Sequence, residues 1–105
     1  VVKEFKIFLN VTRLYEAIRP FSIDDAEIYL FGSASRGEDN EDSDVDLLII
    51  GQIDNNALVD MKAAVREKMN KETNAIVYSR AQYSDLYRSD RAFYESVEKD
   101  KIKLL

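Results

Sequence analysis

Residues 30–50, LFGSASRGEDNEDSDVDLLII, carry the pattern from which the fold is predicted. An apolar run breaks at a Gly-Ser pair, passes through an acidic stretch, and resumes after an Asp-Val-Asp triplet. Short apolar runs that are closed by glycine are typical of buried strands, so residues 28–31 and 45–50 are predicted strands. Six carboxylates fall within residues 38–46, and the question is why so much negative charge lies between two hydrophobic strands.

Asp44 and Asp46 are the carboxylates that a solvated turn explains least well. Asp46 lies inside a predicted apolar strand, where an unpaired carboxylate is costly. Side chains two residues apart on a strand point to the same face, so these two carboxylates are expected side by side, where they repel each other. A divalent metal ion would relieve that repulsion. The alternative stays open at this point: the loop is a solvated turn, and Asp44 caps or ends a strand.

Composition limits the chemistry that this chain can perform. It has 105 residues, a net charge of −5, and neither Cys nor His. The length suits a single domain over residues 1–105. The acidic charge argues against extended nucleic-acid binding. Without Cys or His, zinc sites of those ligands and His-based triads are excluded, so chemistry must rest on carboxylates, hydroxyls, Lys, Arg and backbone. No apolar run is long enough to span a membrane, and a cytoplasmic protein is expected.

The rest of the chain predicts an α/β (α+β) domain with a small mixed sheet and helices packed on it. A first helix is predicted over residues 1–19, with an apolar stripe at Val1, Phe5, Phe8, Tyr15 and Ile18. The other predicted elements are a turn at 22–25, a helix at 55–70, a strand at 75–78, helical turns at 83–87 and 92–97, and a last strand at 102–105. A solvated face of the second helix is predicted to carry Lys62, Arg66, Lys68 and Lys71.

Two phosphate- or metal-binding loops can be tested against the acidic stretch by spacing. Gly32 and Gly37 have the spacing of a P-loop, but Glu38 and Asp39 replace its Lys and Ser or Thr and would repel a phosphate. The alternating Asp residues that begin at Asp42 match the first ligands of an EF-hand. The glycine and glutamate that an EF-hand loop then requires are absent, so neither loop type fits.

The order Gly32-Ser33, ten residues, then Asp44-x-Asp46 resembles the signature of the DNA polymerase β-like nucleotidyltransferases. Within that superfamily, the chain resembles the short members, the minimal nucleotidyltransferases. Arg36-Gly37 also matches the Arg-Gly pair that often follows Gly-Ser in those members. The resemblance implies a polymerase β-like core in which a strand precedes Gly32 and a second strand carries the two aspartates.

The resemblance also implies roles for individual residues. Asp44 and Asp46 would be the catalytic, metal-binding pair and would hold one or two Mg²⁺ ions, since Mg²⁺ favours oxygen ligands and shares its shell with substrate phosphates. Gly32 and Ser33 would bind the nucleotide phosphates through backbone N–H groups and a hydroxyl. Arg36 would balance charge on the triphosphate, and its alternative is an ion pair with the acidic loop.

One position departs from the pattern of the superfamily. A third carboxylate is expected on a later strand, and Asn74 falls at that position in the stretch 73–79. An Asn offers a neutral oxygen, but it cannot act as a carboxylate base. Glu72 has the same strand parity as Asn74 and is the alternative third carboxylate. The departure bears on catalysis more than on metal or nucleotide binding.

Two functions from different classes follow from this resemblance. The first is a Mg²⁺-dependent nucleotidyltransferase that transfers a nucleoside monophosphate, AMP from ATP, to a hydroxyl of a protein partner. Short members are commonly paired with a HEPN-type toxin, which implies an antitoxin of a toxin–antitoxin pair. The second is a catalytically degenerate module of the same fold that binds a nucleotide or a partner without turnover. Asn74 is the residue that separates the two.

Overall fold

The structure is a computed structural model that describes residues 2–21 and 25–105. The elements in chain order are α1 (Val2–Ile18), β1 (Ala26–Phe31), α2 (Ser33–Arg36), β2 (Val45–Gly51), α3 (Asn55–Met69), β3 (Thr73–Tyr78), α4 (Arg80–Ser89), α5 (Arg91–Asp100) and β4 (Ile102–Lys103). The predicted fold class is confirmed, because these elements form one mixed sheet with helices packed on it.

The four strands lie in the order β3-β2-β1-β4. β1 pairs antiparallel with both β2 and β4, whereas β2 pairs parallel with β3. β2 therefore lies inside the sheet, as its continuous apolar run predicts. Its register places Asp46 opposite Phe31 of β1 on one side and opposite Asn74 of β3 on the other.

The two faces of the sheet are covered by different helices. The aliphatic face, which carries Val45, Leu47 and Ile49 of β2, packs in one cluster with residues of α1 and α3. The aromatic face, which carries Leu48 and Ile50, packs with residues of α4 and α5. Because side chains alternate along a strand, Asp46 belongs to the aromatic face.

The predicted apolar stripe of α1 is wrong for most of its members. Phe5, Phe8 and Tyr15 are 63%, 59% and 44% exposed, and Val1 lies outside the described residues. The buried side of α1 instead carries Asn10, Leu14, Ala17 and Ile18. The helix is apolar along two directions, and the packed side is the one that carries the aliphatic residues Leu14 and Ile18 rather than the aromatic rings. Asn10 is buried there because its amide donates to the Ala34 carbonyl at 3.2 Å.

Local capping signals set the boundaries of the later helices. The Asp54 side chain accepts from Asn56 N–H at the start of α3, and Ser79 and Gln82 form a capping box at the start of α4. α4 and α5 are full helices, longer than the helical turns predicted there. β3 begins at Thr73, before the predicted start, and so includes Asn74.

Two further predictions meet the structure only in part. Most of the turn predicted at 22–25 falls on residues 22–24, which lie outside the described residues. β4 spans Ile102–Lys103 and is shorter than the predicted strand. Across residues 2–21 and 25–105, no helix is both long enough and apolar enough to cross a membrane.

Candidate active site

The candidate site lies where the aromatic face of the sheet changes from apolar to polar. Phe31, Asp46 and Asn74 form a row across three strands, each directly opposite its neighbour in the register. The next row on the same face, Tyr29, Leu48 and Ile76, belongs to or adjoins the apolar packing beneath α4 and α5. Asp46 and Asn74 are the polar members of their row and lie at the edge of this apolar face. Asp46 is therefore half-buried, and Asn74 is exposed.

The side chain of Asn74 joins the two aspartates. Its Nδ2 donates to Asp44 Oδ2 at 3.2 Å and to Asp46 Oδ1 at 3.3 Å. The structure thus brings together the two carboxylates that the sequence places on one face, with a neutral amide between them. A neutral donor satisfies an oxygen of each carboxylate, yet it does not cancel their two negative charges.

Gly32 allows the Gly-Ser turn to approach Asp46 closely. Its φ is +77°, and a Cβ built there would lie 2.3 Å from Asp46 Oδ2. A side chain at position 32 would therefore clash with the carboxylate and strain the backbone. The glycine is required both for the conformation of the turn and for the space that the Asp46 carboxylate occupies.

Ser33 begins the short helix α2 directly after this turn and is half-buried. The Ser33 carbonyl accepts from Glu38 N–H at 3.0 Å, and Ser35 donates through N–H and Oγ to the Gly32 carbonyl at 3.1 and 2.7 Å. These bonds hold the turn in a fixed shape beside Asp46. Gly32 thus lies beside Asp46, and Ser33 follows it directly in the chain.

Arg36 is held by two carboxylates of the chain. Its Nε donates to Glu38 Oε1 at 2.9 Å, and its Nη1 donates to Asp100 Oδ2 at 2.7 Å. Hydrogen bonding to Glu38 and then to Asp100 raises the pKa of Arg36, and the bond from Arg36 lowers the pKa of Glu38. The alternative role for Arg36, an ion pair with the acidic loop, is present in this structure. A phosphate would have to share or displace those partners.

The carboxylates of the acidic stretch have different surroundings. Asp39 is buried and accepts from Asn10 Nδ2 at 3.1 Å, with Lys6 Nζ 3.7 Å away. Glu38 pairs with Arg36 and Lys3. Part of the charge therefore fixes the loop to the helices. Asp44 and Asp46 instead accept from Asn74, and Asp46 also lies beside Gly32.

Lys71 is a residue near the candidate site that the sequence interpretation placed wrongly. Its side chain is 17% exposed and points into the acidic loop rather than to solvent. Nζ donates to the carbonyls of Asn40 and Ser43, the latter at 3.3 Å, and lies 3.9 Å from Asp39 Oδ2. α3 ends at Met69, and Asn70 has a left-handed φ of 55°. Lys71 therefore does not follow the helical periodicity, and the Asn that precedes it was the available signal.

The other basic side chains predicted on this face do not share the position of Lys71. Arg66 and Lys68 are more exposed and pair with Glu72 and Glu16, respectively, and Lys62 is also exposed.

A cleft of about 240 Å³ opens beside Asp44. Glu72 lies in its wall, and its carboxylate pairs with Arg66 at 3.2 Å. The residue that contacts the aspartate pair is therefore Asn74 rather than Glu72. The cleft is lined by Glu41, Asp42, Ser43, Asp44, Arg66, Asn70, Lys71 and Glu72.

The donor set of the site can be compared with what Mg²⁺ requires. Asp44 and Asp46 offer hard oxygen donors, and Mg²⁺ commonly takes one or two carboxylates and fills its shell with water and phosphate. Within residues 2–21 and 25–105, no group of three or more Asp, Glu, His or Cys residues is arranged to hold a metal ion. The residues present thus fit a Mg²⁺ ion that is shared with a substrate phosphate, and not a cage made of protein alone.

The aromatic cover next to the site contains an ionic network. Lys101 lies over the rings of Tyr29 and Tyr83, with Nζ 4.7 and 5.5 Å from their centroids. Tyr83 donates to Glu98 at 2.6 Å, and Tyr29 donates to Glu27. Burial, followed by the hydrogen bond to Glu27, raises the pKa of Tyr29 to about 12. These contacts hold α5 on the sheet beside the row that carries Asp46.

Comparison with solved structures shows the same fold in toxin–antitoxin proteins. A crystal structure of a toxin-antitoxin with AMP-PNP has a TM-score of 0.62 at 19% identity and covers 91% of this chain and 73% of that chain. A complex of tri-AMPylated Shewanella oneidensis HEPN toxin with MNT antitoxin has a TM-score of 0.56 at 19% identity, covering 94% of this chain and 71% of that chain. Likenesses at this identity establish the fold.

Sequence comparison adds a relative and a family. "Putative protein adenylyltransferase MJ0604" from Methanocaldococcus jannaschii is 42% identical over 53 residues, which are 50% of this chain and 53% of that protein. The match therefore spans about half the length of that relative. The family described as Nucleotidyltransferase domain matches residues 11–104. Because that match covers most of the sequence and includes the Gly-Ser turn and both aspartates, the chain belongs to the nucleotidyltransferase domain family.

Proposed function

We propose that this chain is a Mg²⁺-dependent nucleotidyltransferase that transfers AMP from ATP to a hydroxyl of a HEPN-type protein partner, as the antitoxin of a cytoplasmic pair. Residues 1–105 would act as one catalytic domain. The observation that carries the proposal is the meeting of Asp44, Asp46 and the Gly32 turn, with Asp46 Oδ2 directly against Gly32. The names of the relatives, an adenylyltransferase and HEPN toxin complexes, support the choice of nucleotide and partner.

Each residue of the site has a task in this reaction. Asp44 and Asp46 would hold Mg²⁺, which supplies positive charge for the phosphates of ATP and for the leaving pyrophosphate. The backbone of Gly32-Ser33 and the Ser33 hydroxyl would orient the phosphates. Arg36 would add charge on the triphosphate after leaving or sharing its carboxylate partners.

The bond changes balance without any further reactant. The hydroxyl oxygen of the acceptor forms a bond to the α-phosphorus of ATP. The bond between that phosphorus and the oxygen that bridges to the β-phosphate breaks, and pyrophosphate leaves. The hydroxyl proton passes to a carboxylate of the Asp44–Asp46 pair, because the amide of Asn74 is not a base at neutral pH.

The test is transfer of label from ATP to a purified HEPN-type partner in the presence of Mg²⁺. Label on the α-phosphate should appear in the partner, and label on the γ-phosphate should not, since it leaves with pyrophosphate. The Asp44→Asn, Asp46→Asn double variant should lose transfer by at least about 100-fold, more than the loss of an outer-shell partner of a metal ligand. Asp42→Asn, a nearby exposed carboxylate, is the matched control and should retain transfer.

Asn74 favours a second candidate function, a module that binds nucleotide or partner without turnover. A neutral amide contacts both aspartates at the position where the superfamily pattern expects a third carboxylate. Mg²⁺-dependent ATP binding and a stable partner complex, with no α-label in the partner, would establish this function and contradict transfer. Label that requires Asp44 and Asp46 would exclude it.

A further inference from the structure

We infer that Lys71 is a positioning residue for the aspartate pair, a built-in cation that fixes the acidic loop so that Asp44 meets Asp46 and Asn74 in the correct place. The inference rests on the proposed function of that site, and it adds a residue that the signature does not contain. Lys71 lies far from Asp44 in sequence but next to the loop in space.

The first step is the charge and burial around the ammonium group. Lys71 Nζ donates to the carbonyls of Asn40 and Ser43 and lies 3.9 Å from the buried carboxylate of Asp39. At 17% exposure, the side chain of Lys71 is largely removed from solvent. A charged donor that contacts two carbonyls and a carboxylate binds them more strongly than a neutral donor would. The acidic loop therefore contacts the ammonium group of Lys71 through three of its residues.

The second step is the connection from this cation to the candidate metal ligand. Ser43, whose carbonyl contacts Lys71, immediately precedes Asp44. The turn before it is closed by Asn40, whose Oδ1 accepts from Asp42 N–H at 2.9 Å and whose carbonyl accepts from Ser43 N–H at 3.1 Å. Holding both carbonyls of that turn fixes the point at which the chain enters Asp44.

The third step is the position of Lys71 relative to β3. Glu72 follows Lys71 and its carbonyl accepts from Val45 N–H at 2.9 Å, while Thr73 pairs with Val45 in the parallel register. Lys71 thus joins the segment that enters β3 to the segment that enters β2. Asp44 immediately precedes β2, and Asn74 is the second residue of β3. The contacts of Lys71 therefore set the position of Asp44 relative to Asn74.

The functional consequence concerns affinity more than the existence of the fold. Without the Lys71 charge, the Asn40 and Ser43 carbonyls lose their common donor, and the loop that carries Asp44 becomes free to sample other shapes. Residues outside the metal's own ligand set that hold a ligand in position typically change metal affinity or activity 10- to 100-fold when they are removed. We expect Lys71→Met, which keeps the apolar stem and removes the charge, to weaken Mg²⁺-dependent ATP binding by about tenfold.

The experiment compares four proteins by calorimetric titration of ATP in Mg²⁺: the wild-type chain, Lys71→Met, Lys71→Arg and Lys62→Met. Lys62→Met is the matched control because it removes the same charge from an exposed position of α3. Lys71→Arg should retain most of the affinity because it keeps a cation in the loop.

Chemical rescue separates positioning from a general loss of stability. In Lys71→Ala, added propylammonium can place its charge where Nζ lay and should restore several-fold of the lost ATP affinity, whereas tetramethylammonium, which cannot donate hydrogen bonds, should not. Amide hydrogen exchange of residues 40–43 should rise in Lys71→Met and in Lys71→Ala without ligand, while the amides of β3 remain protected.

The outcomes distinguish the two proposals. If the wild-type chain binds ATP in Mg²⁺ and Lys71→Met binds it equally well, the positioning role is wrong and the proposed function stands. The same conclusion follows if exchange rises in the loop while affinity is unchanged, or if propylammonium gives no rescue. If the wild-type chain does not bind ATP in Mg²⁺, the proposed function fails, and the positioning role fails with it.

Discussion

The two faces of β2 use alternate residues of one strand for different purposes. On the aliphatic face, Val45, Leu47 and Ile49 are fully buried beneath α1 and α3. On the aromatic face, Leu48 and Ile50 are also buried, but the first β2 residue on that face is the half-buried Asp46. The comparison shows that a small domain can anchor a polar site on a buried strand, provided that the helices cover only the apolar rows of that face.

The polar residues at the start of β2 break the apolar pattern of this face. Asp44 and Asp46 lie close enough to share the Asn74 amide, and Gly32 leaves room for the Asp46 carboxylate. A local departure from apolar packing of this kind is expected at a functional site.

The largest expected effect comes from breaking the aliphatic face. Leu47→Ala removes a fully buried side chain and should lower the free energy of unfolding by about 2–5 kcal/mol, since the cavity adds to the lost burial. The measurement is urea denaturation. Val59→Ala, at a position 64% exposed on α3, should change the same quantity by less than about 0.5 kcal/mol. Equal effects would show that the aliphatic face is not the main core.

The second prediction adds a carboxylate to the polar row. Asn74→Asp replaces a donor to Asp44 and Asp46 by a third negative charge at an exposed position, so the metal-free protein should lose about 0.5–1 kcal/mol of unfolding free energy. Mg²⁺ should reverse that loss and bind about tenfold more tightly than to the wild-type chain. Thermal melts with and without Mg²⁺ measure both effects, with Asn56→Asp as the charge-matched control. Destabilisation that Mg²⁺ does not relieve would argue against a metal at this row.

A smaller effect concerns the partner of Arg36 on α5. Asp100→Asn weakens the bond between Asp100 and Arg36 and leaves the guanidinium freer to meet the triphosphate. ATP affinity should rise about two- to fivefold, the range expected from weakening one partly exposed ion pair. Titration calorimetry with Asp85→Asn as the control for net charge checks this prediction. Weaker ATP binding would mean that Asp100 orients Arg36 for the nucleotide.

The smallest effect is on the pH dependence of the aromatic cover. The pKa of Tyr29 is raised from its usual value of 10.0 to about 12, so the folded state holds this proton more tightly than the unfolded state. This contribution to stability is fully present below pH 10 and is lost as the pH rises from about 10 through about 12. Tyr29→Phe should flatten the fall of melting temperature across that window, whereas Tyr15→Phe should leave it unchanged.

The sequence by itself determined the strands on either side of the Gly-Ser turn, the fold class, and the family. Apolar runs closed by glycine fix strands locally, and a two-residue spacing fixes which side chains share a face. The strands and the shared face depend on neighbours within a few residues or on strand parity, so a linear pattern is sufficient to find them. The family resemblance, and not the local pattern, placed Asn74 at the third-carboxylate position, and the parallel register sets it opposite Asp46.

Tertiary structure alone decided which side of α1 is buried, how Arg36 is paired, and where Lys71 points. Phe5 and Asn10 have the reverse of the burial that hydrophobicity predicts, because the α1 surface that packs also meets the acidic loop, where an amide can satisfy Asp39 and a phenyl ring cannot. Lys71 left the helical pattern because the chain turned at the preceding Asn. Contacts between segments that are more than 20 residues apart depend on the assembled fold, and no local periodicity encodes them.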